Sequence, residues 1–287
     1  MSTPSAPTDP RRRIPLRYLL VAVVAVIAVL GAAFGASALG GGGDNLSAKD
    51  RIEADPPPTL FSDAAVAPIG REVAAQAARA DRLLQDWWAG HGHQRDDKAF
   101  TAWAERVLPA PPTAARRTAE VAAVARIAPA RTAAGVRAAT WLETYGKKDL
   151  WKLYAHDQAE LLPGKAGDAR KSDVKAMLKL SKAVADTLGT RYQQSAPYVL
   201  QPSLRPDHTV TQGQVCPCSY PSRHAAAGAA ASTYLGGLAP HRAADYAWTQ
   251  AEIDYSRVYM AGHVPSDIEA GALLGDLIGG YYLGSRA

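Results

Sequence analysis

The chain has 287 residues, a formal net charge of +5 at pH 7 and only two cysteines. That length buries a substantial core, so one folded domain with appendages is expected. Its positive residues are spread along the sequence, which argues against a nucleic-acid partner. Alanine dominates several stretches and β-branched alternation is scarce, so the fold class expected is all-α.

Residues 1–13 are polar, end in Arg11-Arg12-Arg13 and read as a cytoplasmic tail. Between Ile14 and Leu39 the only charge is Arg17, and the 22 residues from Tyr18 to Leu39 are apolar or small. At about 1.5 Å rise per residue they are long enough to cross a hydrocarbon core of roughly 30 Å. Four arginines precede this run and none follows closely, which places the N-terminus in the cytoplasm and the chain after residue 40 outside. Ala36-Ser37-Ala38 also has the small-x-small form of a signal-peptidase site. Residues 14–39 are therefore read as a transmembrane anchor or a signal peptide, with the body at the outer face of the cell membrane or secreted. Residues 40–58, four glycines and then a stretch ending in three prolines, read as a linker.

The folded part is expected to begin near Thr59. Residues 59–138 carry helical patterns at Val73 to Trp88, Lys98 to Val107 and Thr113 to Ile127. His91-Gly92-His93 falls in a gap between two of them, has no acidic or Cys partner nearby, and reads as a surface loop. From Ala139 to Leu161, Trp141, Leu142, Tyr145, Leu150, Trp151, Leu153 and Tyr154 recur at helical spacing and are expected in the core. Ser172 is placed as the cap of a helix bearing Val174, Met177, Leu178, Ser181, Val184, Ala185 and Leu188, with Gly189 ending it. Cys216 and Cys218 flank Pro217 as either a local disulfide or two free thiols, with too few ligands around them for a metal site.

Two stretches carry chemistry. The first is Tyr220-Pro221-Ser222-Arg223-His224, followed by the helix-forming run Ala225 to Leu235. Ser222 thus marks a helix start, whose unpaired N–H groups and positive dipole end suit a phosphate. The second is Ser256-Arg257, five residues, His263, three residues, Asp267. Ser266 with Glu269 reads as a capping box that puts Asp267 in the first turn of the last helix, directed back at His263. Phosphoryl transfer needs a nucleophile, an acid for the leaving group, and donors for the oxygens as charge redistributes. A carboxylate on one imidazole nitrogen raises the basicity of the other.

These stretches resemble the second and third signatures, Pro-Ser-Gly-His and Ser-Arg-x5-His-x3-Asp, of the type 2 phosphatidic acid phosphatase superfamily. That superfamily includes the bacterial class A acid phosphatases and the vanadium haloperoxidases. The third signature is intact, and in the second Arg223 stands where the family has glycine. The resemblance covers roughly residues 140–285 and implies a helical bundle whose catalytic core spans 139–287. It implies that His263 attacks phosphorus, Asp267 orients it and His224 protonates the leaving oxygen. The family's first signature, Lys-x6-Arg-Pro, is degraded and fits two registers. One keeps Arg205-Pro206 with Tyr198 at the lysine position. The other aligns Ala196-Pro197, puts Gly189 at the lysine position and leaves Arg191 as the nearest cation. The second register has the longer connection to Pro221 and is the one expected. Phosphate contacts are thus assigned to Arg257, Ser222, Arg223, Arg191 and Arg205, with Arg223 either restoring a lost cation or pointing to solvent. The resemblance implies an exported phosphatase acting on a phosphorylated small molecule or lipid head group through a phosphohistidine, with no metal or cofactor and with vanadate as an inhibitor. Two alternatives are a haloperoxidase with vanadate as cofactor and a weakened relative that only binds a phosphate-bearing ligand.

Overall fold

A computed structural model describes residues 46–205 and 218–286. The tail and the anchor or signal expected within residues 1–39 lie outside the described residues, as do Pro206 and Cys216. Among the described residues, no helix is long and apolar enough to cross a membrane.

The described chain is all-α, with one isolated bridge between Ser195 and Cys218. Its helices are α1 (Ala48–Ala54), α2 (Asp63–His91), α3 (Asp97–Val107), α4 (Ala114–Ile127), α5 (Ala133–Tyr145), α6 (Asp149–Glu160), α7 (Gly164–Tyr192), α8 (Pro197–Leu200), α9 (Arg223–Leu238), α10 (Ala243–Tyr259) and α11 (Pro265–Gly284). The first corrects the sequence reading, which put residues 48–54 in a linker. Seven residues are too few to show a period. This helix is held instead by its ends: Ser47 and Asp50 form a reciprocal capping box, and Arg51 Nη2 pairs with Asp149 Oδ1 at 2.5 Å.

Ser172 is a second correction. It lies inside α7, which starts eight residues earlier and runs through Gly189 to Tyr192, where Gln193 turns left-handed at φ 49°. The apolar face expected of this helix is nevertheless buried from Val174 to Leu188. The aromatic segment splits into α5 and α6 at the Gly146-Lys147-Lys148 turn, and of its seven expected core residues six are buried while Leu153 is only half-buried. His91 and His93 bond the backbone carbonyls of Trp87 and Gly284. Cys218 is disulfide-bonded, and Cys216 is the other cysteine in the sequence.

At the centre α9 packs along α11, with α2, α7 and α10 around the pair. Small residues allow this approach. A Cβ at Gly271 would lie 2.4 Å from the Ser222 carbonyl oxygen, and one at Gly275 would lie 2.3 Å from that of Ala226. Val66, Ile69 and Val73 of α2 join Val258 and Ile268 in one apolar cluster, so residues 59–138 pack against the helices that carry the signatures. This packing fixes the starts of α9 and α11 side by side, where Ser222 N–H donates to the Asp267 carbonyl at 2.9 Å.

Candidate active site

Helix α10 ends just after Arg257. Ala261 takes φ 56°, and the N–H groups of Gly262 and His263 fold back onto the Arg257 carbonyl at 2.9 and 3.3 Å. This turn puts the Arg257 guanidinium and the His263 imidazole at the same end of the bundle. His263 Nδ1 lies 2.9 Å from the Ser219 carbonyl oxygen and 3.6 Å from Asp267 Oδ2. A carbonyl only accepts, so Nδ1 carries a proton, and in the neutral ring the lone pair is then on Nε2. The Ser219 carbonyl, closer than Asp267, therefore sets the tautomer.

Asp267 is fully buried and held from three sides. Its Oδ2 accepts from Val264 N–H at 2.9 Å, capping α11, and its Oδ1 accepts from Arg117 Nη1 at 2.5 Å. Burial pushes its carboxyl up, but His263 and Arg117 outweigh that and hold it below its ordinary value. The cap expected from Ser266 and Glu269 is thus replaced by Asp267 itself, and the Ser266 hydroxyl bonds Glu120 at 2.6 Å. Arg117 belongs to α4. Its Nη2 also reaches the Ser195 carbonyl at 2.7 Å and the Ser219 hydroxyl at 2.6 Å, so it braces both partners of His263.

Arg257 and Arg205 meet at one carboxylate. Glu143 of α5 places Oε2 3.0 Å from Nη2 of each. Burial raises the Glu143 carboxyl, yet the two guanidiniums overcome this and bring it to about 2. The Glu143 peptide carbonyl lies 3.0 Å from His224 Nε2, which therefore carries the proton there. His224 is pushed well below the ordinary imidazole range, first by burial and then by Arg257, so it is neutral near pH 7.

The structure thus brings together His263, Asp267, His224, Arg257 and Arg205, and sets the remaining expected phosphate contacts apart. Arg205 beside Arg257 selects the first register of the degraded signature. The preference for the second register, based on connection length, is corrected. Arg191 is half-exposed and pairs with Glu105 at 2.7 Å on the outer side of α7. Ser222 spends its N–H on Asp267 and its hydroxyl on the Ala225 N–H at 3.3 Å, which makes it the cap of α9. Arg223 turns to Asp186 of α7. Tyr198, at the lysine position, lies under Arg205, whose guanidinium carbon is 5.9 Å from the ring centre.

Residues 175–285 match the family model of the PAP2 superfamily. This part of the chain is a PAP2 superfamily domain. No curated protein matches the chain. The PAP2 superfamily is one of phosphatases, which supports a phosphoric-ester hydrolase in broad terms. The matched segment holds His224, Arg257, His263, Asp267 and Arg205, whereas Arg117 and Glu143 reach the PAP2 site from outside it. Sequence reasoning missed both, together with the Ser219 carbonyl. Glu143 left a faint trace as the one acid within the aromatic core run Trp141 to Tyr145; Arg117 left none.

Proposed function

We propose that the PAP2 domain hydrolyses phosphate esters through a phosphohistidine on His263, in the manner of a class A acid phosphatase. The observation that carries this is the 2.9 Å contact of His263 Nδ1 with the Ser219 carbonyl, which in the neutral ring leaves the lone pair on Nε2, the nitrogen a nucleophile needs free. Nε2 attacks phosphorus, the P–O ester bond breaks, and the leaving oxygen takes a proton from His224. Water then attacks the phosphohistidine, gives its proton back to His224 and releases phosphate. Because His224 is neutral on its own, it acts as an acid only after taking up a second proton, which the negative charge of a bound phosphoryl group favours. No step draws on a metal or cofactor, and vanadate enters as a phosphate mimic and inhibitor. The arginine asymmetry around Tyr18 to Leu39 supports a domain outside the cytoplasm, anchored or released, facing phosphorylated small molecules or lipid head groups.

Rapid quenching of the full chain during turnover of a phosphomonoester should trap an acid-labile, base-stable phosphate on His263, and His263→Ala should lower kcat by about 10³-fold or more. Turnover without any phosphorylated His263, or a variant within about tenfold of the parent, rejects the mechanism. Vanadate should inhibit; peroxide-dependent halide oxidation on adding vanadate would favour the haloperoxidase reading instead.

A further inference from the structure

Glu143 does more than close an ion pair. Arg257 and Arg205 are 2% and 7% exposed, and among the described residues the only acid paired with either is Glu143. Arg257 Nη1 and Arg205 Nε are buried without hydrogen-bond partners. One carboxylate oxygen therefore serves two guanidiniums that each keep a buried donor without a partner, although a tetrahedral oxyanion with three free oxygens matches such a fork better. The Glu143 side chain is 32% exposed, so it has a way out toward solvent that the two arginines lack.

We propose that the Glu143 carboxylate is an internal competitor for the phosphate seat: it occupies the two guanidiniums that the phosphoryl oxygens of a substrate must take, and substrate binds by displacing it. This deepens the phosphatase reading and rests on the same two arginines. The groups facing Glu143 are Arg257 from α10, Arg205 and Tyr198 from the segment before residue 206, and His224 at the start of α9. Burial raises the Tyr198 phenol, which stays neutral, so Glu143 is the one anion in that set. A phosphoryl dianion arriving beside an undisplaced Glu143 would put three negative charges against two positive ones. A dianion is therefore seated by exchange and not by addition, because only displacement of the carboxylate leaves both guanidiniums to the phosphoryl oxygens.

The test is titration of the full-length protein with inorganic phosphate by calorimetry, alongside steady-state kinetics. Glu143→Gln should bind phosphate about tenfold more tightly or better, with KM falling further than kcat changes, and Glu143→Asp, which keeps the charge, should stay near the parent. Unchanged or weaker phosphate binding in the Gln variant overturns the proposal, because a mere clamp on the arginines gives that result. Equal tightening in the Asp variant also overturns it. A crystal structure of the unsubstituted protein with vanadate needs no variant to fold. Glu143 Oε2 should have left both guanidiniums, and its persistence at about 3 Å from them contradicts the exchange. The phosphate titration and the vanadate structure do not require turnover, so a protein that exchanges Glu143 for phosphate yet hydrolyses no ester would sink the phosphatase reading and leave the competitor in place.

Discussion

Acids at the site end and acids in the middle of the bundle all lose much of their contact with water, yet they hold their protons in opposite ways. Glu143 and Asp267 are kept ionised, the first at about 2 by Arg257 and Arg205, the second by His263 and Arg117. Asp276 on α11 is pushed up to about 7 and Glu252 on α10 to about 8 by burial, and Asp254 rises well above its ordinary value by burial with Asp276 adding to it. Those three meet a hydroxyl, a backbone N–H or a glutamine: Thr233 donates to Asp276 at 2.6 Å, Phe61 N–H to Glu252 at 3.2 Å, and Gln250 lies beside Asp254. Burial costs each of them about the same kind of penalty, so the guanidinium decides which form survives. The bundle thus concentrates fixed charge at the end where phosphate chemistry is proposed and keeps its centre neutral.

The largest effect should come from removing the cation of one site acid. Arg117→Ala leaves Asp267 buried without its guanidinium and loosens the Ser219 hydroxyl, both within the group that holds His263. Loss of one partner of a buried pair costs about 3–5 kcal/mol, so urea unfolding should shift by that order. kcat/KM should fall about 100-fold as the imidazole loses its fixed setting. Losses under about 1 kcal/mol and threefold would mean that water replaces the arginine and that the contrast between the two ends is shallow.

Arg117 also shows where the sequence stops being readable. The signature residues lie within one turn or loop of one another, so spacing alone aligned His263 with Asp267 and put His224 at a helix start. Helix periodicity points to α7 and the aromatic core, and alanine-rich propensity to α9, for the same reason: the information is local. Arg117 reaches Asp267 across 150 positions, and nothing about an arginine in the helical run Thr113 to Ile127 marks it as buried. The register of the first signature failed differently. Connection length favoured Arg191, whereas electrostatics favours Arg205, because Glu143 needs a second guanidinium and only the fold places one there. A cap hydroxyl and a ligand hydroxyl look alike in sequence; in the fold Ser222 caps α9, its Oγ accepting from the Ala225 N–H and its N–H donating to the Asp267 carbonyl.

A smaller effect, and the opposite sign, is expected from the interior. Asp276 and Glu252 bind their protons more tightly folded than unfolded, so their contribution is complete below the ordinary carboxylate range and is lost as pH rises toward 7 and 8. Glu143 runs the other way: its contribution is complete above about 4.5 and is lost as pH falls toward 2. Tm should therefore be highest on the mildly acidic side and decline between pH 5 and pH 8. Asp276→Asn keeps an acceptor for Thr233 while removing the titration. It should raise stability at pH 8 by a few kcal/mol at most, change little at pH 5, and flatten the decline. A pH-independent change in that variant would show that packing, not the proton, sets the cost.

The smallest effect sharpens the comparison from a third setting, a carboxylate with a cation in water. Arg223 pairs with Asp186, which also takes Lys182, and the Arg223 side chain is 43% exposed. Solvent screens such a pair, and exposed pairs are worth about 0.2–1 kcal/mol. Arg223 also stands where the family has glycine, so it is the natural suspect for a replacement phosphate cation. With Arg205 already beside Arg257, that role is filled, and Asp186 gives Arg223 a reason to point away. Arg223→Ala preserves helix propensity at the start of α9 and removes only the guanidinium. It should change stability by less than about 1 kcal/mol and leave KM for phosphomonoesters within about twofold. A KM rise of tenfold, together with weaker vanadate inhibition, would move Arg223 from the surface class into the site and give the phosphate seat three arginines in place of two.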